Sequence, residues 1–407
     1  MSELFTADFF IQNRLRLCEV TEAPLIVLTA NGSLQRSADT TFPFRQDSNF
    51  WYLTGINEPE YVLVIHEGQS FLIAPKRAEH RDLWDGSIDN KNLVTISGIT
   101  EIIEHHDGWI ILDKLLKKYK KVHTIAPAET YFEHFGFYAN PARSTLLSAI
   151  KKHRSVETVD IRKTLAQFRQ IKQPVELLAL QKAIDLTADS LKRIKARLQK
   201  YKNEMEIEAD ITADFIKGGA MGHAYQPIIA AGKNAATIHY IDNNTVLEKN
   251  NLLLMDVGAE VENYSADITR TYSIGSPSKR QKEVYESVLR VKQAAEKMLK
   301  PGVDMKKYEQ KVDKVMAKEL QRLKLLDDIK DKKKLKKYYP HLTSHFLGLD
   351  THDAADYVIP LTAGMVLTVE PGIYIPEEQI GIRIEDDILI TENGIKNLSA
   401  DLSTSLD

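Results

Sequence analysis

Residues 251–273 read NLLLMDVGAEVENYSADITRTYS, and this stretch limits what the chain can fold into more than any other. The apolar run 252–255, the polar pair Glu262 and Asn263, and the β-branched and aromatic run 268–272 predict a β-hairpin. Side chains alternate between faces along a strand, and residues opposed across a two-residue loop share a face. Asp256 and Asp267 stand eleven residues apart, an odd separation, so the hairpin projects both carboxylates from one face. Two carboxylates held side by side resist joint ionisation unless a cation lies between them. Two solvated aspartates near a turn would need no cation, and other parts of the chain must decide between these readings.

A chain of 407 residues exceeds one ordinary core and predicts two domains. In residues 1–172, helical patterns near 7–19, 109–120 and 141–153 mix with strand patterns at 24–29, 50–54, 61–66 and 70–74, which predicts an α/β N-terminal domain. Residues 154–172 carry few sharp signals and read as a connection. The second domain, 173–407, opens with Pro174 in the first turn of a helix over 174–198, where its missing N–H costs nothing. A helix over 205–217, a strand over 227–230 and the hairpin follow. The order then repeats, with helices over 280–299 and 304–322 and strands over 365–375 and 382–391. The second hairpin carries Glu370 and Glu385 where the first carries Asp256 and Asp267. The expected result is an α+β domain with pseudo-twofold symmetry, each half giving two carboxylates to a central site.

The formal charge of −3 carries no basic excess for a nucleic-acid partner. No apolar run approaches the roughly 20 residues that span a bilayer, and MSELFTADFF lacks the basic-then-apolar pattern of a secretory signal. The single cysteine, Cys18, cannot close an internal disulfide. These features predict a cytoplasmic protein with no membrane partner.

In GIRIEDDILI, alternation places Arg383, Glu385 and Asp387 on one strand face, so the guanidinium can orient the neighbouring carboxylate. Glu370 ends the run MVLTVE just before Pro371 and Gly372. Between the hairpins, HLTSHFLGLDTHD holds His341, His345 and His352 within twelve residues. A lone histidine is more often structural; three beside a four-carboxylate set are harder to dismiss. Four carboxylates and an imidazole, with no cysteine available, form a hard donor set that suits two Mn²⁺ ions, with Zn²⁺ or Co²⁺ as alternatives. Two such ions about 3.5–4 Å apart activate a water for amide hydrolysis. No His-Glu-x-x-His helix is present, which excludes a zincin.

The segments MDVGAEVENYSADITRT, SHFLGLDTHD, VLTVEPGIYI and GIRIEDD resemble the ordered signature of the pita-bread metallopeptidases. That resemblance implies a pita-bread catalytic domain in which Asp256, Asp267, His345, Glu370 and Glu385 ligate two metal ions, with Asp267 and Glu385 bridging. It further implies that His239 and His352 contact substrate, that Glu370 exchanges the proton of the bridging water, and that Arg383 supports Glu385. RSADTTFPFRQDSNFWYLTGINEPE (36–60) and RDLWDG (81–86) resemble the N-terminal domain of the aminopeptidase P branch. By that likeness Asp39, Trp84 and Tyr374 are substrate-binding residues, the first two in part toward a neighbouring subunit, although a turn aspartate and a core tryptophan would explain Asp39 and Trp84 as simply. The branch implies removal of the residue before a penultimate proline in peptides, an N-terminal domain acting as a lid, and a homodimer or homotetramer. Restriction to Xaa-Pro dipeptides, as in prolidase, and a non-catalytic peptide-binding scaffold are the alternatives.

Overall fold

The computed structural model describes residues 4–77, 81–86, 88–125, 136 and 138–406. The chain divides into two compact units, Met1–Leu165 and Ala166–Asp407. The first unit is built on a six-stranded mixed sheet in the order Glu101–Ile103, Gln69–Ile73, Val62–His66, Leu25–Thr29, Lys121–Thr124, Glu157–Asp160. Leu25–Thr29 runs antiparallel to Val62–His66 and parallel to Lys121–Thr124, the mixed pairing expected of an α/β unit. Leu25, Val27, Val62 and Val64 face Leu112, Leu116, Leu146 and Ile150 from the helices His105–Lys118 and Pro141–Lys151.

Two expectations for residues 1–172 are corrected. Residues 50–54 form part of a helix, Ser48–Thr54, rather than a strand. Asp47 caps it by accepting from the N–H groups of Asn49 (3.0 Å) and Phe50 (2.9 Å), and Gly55 closes it at φ 68°. These end signals outweigh the aromatic strand propensity of FWYLT. The supposed connection contains an edge strand, Glu157–Asp160, and a helix, Arg162–Gln170. The strand is mostly exposed and polar, so it shows no apolar alternation to detect.

In the second unit, Pro174–Arg197 and Glu204–Lys217 precede the first hairpin, and Lys279–Glu296 and Met305–Arg322 precede the second. Val284, Val288, Val291, Val312 and Met316 on the latter helices pack with Leu367, Ile373, Ile382 and Ile388 of the second hairpin. Glu262 and Asn263 take φ of 52° and 64°, the left-handed pair of a type I′ turn. One register then runs from Val261↔Tyr264 through Asp256↔Thr269 to Leu252↔Ser273. The ladder is interrupted beside Gly258, where a Cβ would lie 1.8 Å from the Ala266 carbonyl oxygen. Gly258→Ala is therefore expected to cost about 1–3 kcal/mol or more, read as a lower urea midpoint at unchanged slope.

The second hairpin also keeps one register, pairing Val366–Val369 with part of Asp386–Thr391 and Gly372–Ile375 with Ile380–Arg383. Each strand expected to be continuous is broken in two, because Pro371 has no N–H to give the ladder. Extending Val369↔Asp386 by one residue sets Glu370 opposite Glu385 within this break. Gly381 permits close approach of the short helix Gly232–Ala236, since a Cβ there would lie 1.8 Å from the Ala235 carbonyl oxygen. Among the described residues, no helix is long and apolar enough to cross a membrane.

Candidate metal centre

The two interrupted hairpins and the loop carrying His345 bring five polar side chains together. One donor atom from each of Asp267, His345 and Glu385 lies within 4.8 Å of the others. His345 Nε2 is 3.3 Å from Asp267 Oδ2 and 3.2 Å from Glu370 Oε1. Its Nδ1 is 3.1 Å from the Phe346 carbonyl oxygen, so a proton on Nδ1 leaves the Nε2 lone pair aimed at the carboxylates. Tyr225 O–H lies 2.5 Å from Asp256 Oδ1 and 2.7 Å from Asp267 Oδ1, tying both aspartates of the first hairpin to one hydroxyl.

Each carboxylate has a second partner that fixes its direction. Thr269 Oγ donates to Glu385 Oε2 at 2.6 Å and accepts from Arg383 Nε at 3.0 Å. Arg383 reaches Glu385 through this hydroxyl, while its direct carboxylate partner is Asp256. The expected Arg383 support of Glu385 is thus relayed, because the guanidinium turns toward the other hairpin. Arg270 donates to the Glu385 backbone oxygen (2.5 Å) and to Asp386 Oδ1 (2.6 Å), locking the strand on the face away from the alternating site residues. Thr368 Oγ donates to Glu370 Oε1 at 3.1 Å.

The electrostatics ask for cations. Burial pushes Asp267 above the usual carboxylate range, the Asp256 and Glu370 charges add to that, and His345 opposes it. Burial and the charges of Asp267, Glu370 and Asp256 likewise push Glu385 well up, against the pull of Arg383. Burial also raises Glu370, but the hydrogen bond and charge of His345, with His341 and Arg383 beyond, overcome it and hold the group at about 2. The one Tyr225 hydroxyl proton is shared between two carboxylate oxygens and offsets only part of their mutual repulsion. A divalent ion among these oxygens and Nε2 would remove that repulsion. Oxygen donors with one imidazole suit a hard or borderline divalent cation, so the residues present fit the expected metal.

The other sequence-predicted residues fall as follows. The His352 ring meets that of His345 edge-on at 4.3 Å, and burial together with the charge of His345 lowers its pKa, with His239 adding to the effect. His239 itself lies exposed in a turn. Tyr374 is buried, its hydroxyl accepting from Arg383 at 2.7 Å and lying 2.9 Å from His341 Nε2. Asp39 and Trp84 belong to the first unit. Asp39 is exposed in the turn between Gln35–Ser37 and Thr40–Thr41, and Trp84 is 78 % exposed on the helix Arg81–Asp85, which excludes the core-tryptophan explanation. Sequence reading missed Tyr225, Thr269 and the role of His341, whose Nδ1 is 3.7 Å from Glu370 Oε2. The histidine spacing signalled His341; Tyr225 in HAYQP and Thr269 in the strand run ITRTY carry no pattern that sets them apart.

Residues 179–392 match metallopeptidase family M24, and residues 10–124 match the aminopeptidase P N-terminal domain. The chain belongs to metallopeptidase family M24. It is 34 % identical over 390 residues to the Xaa-Pro aminopeptidase of Haemophilus influenzae, covering 90 % of this chain and 87 % of that protein. It is 30 % identical over 425 residues to the Xaa-Pro aminopeptidase of Escherichia coli, covering 98 % and 96 %. The solved structure of aminopeptidase P from E. coli superimposes with a TM-score of 0.88 at 29 % identity, covering 99 % of this chain and 97 % of that one. The α/β N-terminal and pita-bread catalytic arrangement expected above is that of these relatives.

Proposed function

We propose that this metallopeptidase removes the N-terminal residue from peptides with proline in second place, using two divalent ions, manganese in the native protein. The observation that carries the reading is the convergence of Asp267, His345 and Glu385 donor atoms within 4.8 Å, from both hairpins and the intervening loop. Asp256, Asp267, His345, Glu370 and Glu385 would hold the ions, with Asp267 and Glu385 between them. Bound there, the ions would supply Lewis acidity and a water activated at neutral pH.

The chain's own groups do the remaining work. Glu370, its carboxylate oriented by the Thr368 hydroxyl, takes the proton of the attacking water on a carboxylate oxygen and returns it to the departing proline nitrogen. That nitrogen belongs to a tertiary amide with no hydrogen of its own, so a positioned donor is needed for it to leave. Arg383 donates to Asp256 and holds its carboxylate turned inward. His352 and His239 contact the substrate and steady the tetrahedral intermediate, and Tyr374, fixed by Arg383, also contacts the substrate. The lone Cys18 supports a reducing, cytoplasmic setting, and the branch supports a homodimer or homotetramer.

The test is an assay of the manganese-loaded full chain on Xaa-Pro-Yaa, Xaa-Ala-Yaa and Xaa-Pro. The expected result is release of Xaa from the proline tripeptide, with little from the alanine one. Cleavage of the dipeptide alone would make the protein a prolidase. Fewer than about one bound ion per chain under manganese-replete conditions would favour a binding scaffold, since the two-metal mechanism needs both positions filled.

A further inference from the structure

Glu309 lies in the second turn of the helix Met305–Arg322, outside the metal centre, and is directed at the loop that carries His345. Its Oε2 accepts from the Thr343 N–H at 3.0 Å and its Oε1 from the Ser344 N–H at 3.1 Å. Both oxygens of one carboxylate therefore grip the two residues before His345. Tyr308, its neighbour on the helix, places its hydroxyl 3.0 Å from Ser344 Oγ, and Tyr339 reaches Thr343 Oγ. The same loop is fastened to the second hairpin. The Thr343 carbonyl accepts from Glu370 N at 2.8 Å, the His345 carbonyl from Thr368 N at 2.9 Å, and His345 N donates to Thr368 Oγ at 3.2 Å.

A carboxylate enclosed in this way is costly. Burial pushes Glu309 up to about 7, the Asp313 charge adds to this, and the Thr343 and Ser344 hydrogen bonds oppose it. A neutral side chain would satisfy ordinary packing at that place without the desolvation penalty. What an anion offers in exchange is four lone pairs, enough to take two consecutive amide hydrogens with strong, charge-assisted bonds.

We propose that Glu309 is a positioning residue for metal binding: by holding the Thr343 and Ser344 amides it fixes the backbone that aims His345 Nε2 at the ions. The proposal rests on His345 being a ligand. Glu309→Gln keeps the volume but turns one acceptor into a donor facing an N–H. Outer partners of metal ligands typically contribute roughly 10–100-fold in metal affinity, and loss of about 10-fold is expected here.

Manganese titration by calorimetry of metal-free wild type, Glu309→Gln and His345→Ala, with amide exchange at Thr343 and Ser344 and a melting curve for each, tests this. In Glu309→Gln, manganese affinity is expected to fall about 10-fold and both amides to exchange faster without metal, while KM for the tripeptide stays within about twofold and kcat at limiting manganese falls. Unchanged affinity would overturn the proposal, and a lower melting temperature with unchanged affinity would reduce Glu309 to a stabilising contact. If His345→Ala binds manganese like wild type, the ligand assignment fails instead, which a silent Glu309→Gln alone would not imply. Should Glu309→Gln not fold, exchange in the wild type decides. Thr343 and Ser344 amides protected without metal, and more so with it, support the clamp; amides as free as an exposed loop remove it.

Discussion

Asp267→Asn and Glu385→Gln are each expected to stop peptide turnover without unfolding the protein. Losing a partner outside the metal shell costs up to about 100-fold in affinity or activity, so removing a side chain proposed to hold both ions should cost more and leave only background cleavage. The stability effect has the opposite sign in the metal-free protein. Asp267 and Glu385 are buried beside other carboxylates that push their pKa values up. A carboxyl whose folded pKa is raised binds more protons folded than unfolded, so its contribution to stability is lost as pH rises from about 4 through the folded value. Neutralising either residue removes that loss. At pH 7 without metal, each variant should melt at or above the wild type, and the difference should vanish below about pH 4. Adding manganese reverses the order, because the wild type gains about 2.7 kcal/mol at free metal a hundredfold above its Kd and the variants gain much less. Melting curves with and without manganese, beside the tripeptide assay, check both halves. Retained activity in either variant would reject the bridging assignment.

The parts of the centre that sequence made legible are those governed by local periodicity. A two-residue turn and a constant register put Asp256 and Asp267 on one face, which alternation alone predicts. The repeat of two helices and a hairpin told that Glu370 and Glu385 would stand as a second pair. What alternation could not give is how the strands break. Pro371 forces the interruption that sets Glu370 against Glu385, and Gly258 admits the Ala266 carbonyl in the first hairpin. Nor could it assign partners between hairpins. Arg383, two residues from Glu385 on its own strand, turns to Asp256 instead, and Thr269 from the other hairpin fills its place. Those choices depend on sequence separations above one hundred residues, where no periodicity operates. In the first unit the misread helix Ser48–Thr54 shows the reverse lesson: a short aromatic run was decided by its caps, Asp47 and Gly55, and not by its interior.

Asp353→Ala is expected to destabilise the second unit by about 3–5 kcal/mol, the usual cost of leaving a buried charge without its partner. Asp353 follows His352 and sits between two cations. Arg169 donates to its Oδ1, and Lys172 Nζ lies 2.8 Å from its Oδ2, with the side chains of Asp353 and Lys172 each 1 % exposed and Arg169 2 %. Burial pulls the Arg169 pKa down, yet Asp353 and Asp350 more than reverse this, so the guanidinium stays charged and needs its acids. After truncation Arg169 keeps Asp350 at 2.6 Å, but that carboxylate is half exposed and screened, and Lys172 keeps the Arg169 carbonyl at 2.6 Å with the more distant charge of Glu176. At roughly 2–4 °C per kcal/mol for a unit of this size, the melting temperature should fall by about 6–20 °C. The Asp353 carboxylate also accepts from Asp350 N at 3.3 Å within the loop, so its removal loosens the segment carrying His352, and turnover should fall as His352 loses its seat against His345. Asp353→Asn keeps the shape and one acceptor and should cost less. Adding Lys172→Met to Asp353→Ala deletes one stranded charge and should recover part of the loss, a coupling that independent sites would not give. A melting temperature for Asp353→Ala within about 2 °C of wild type would mean that water, and not Asp353, neutralises this cluster.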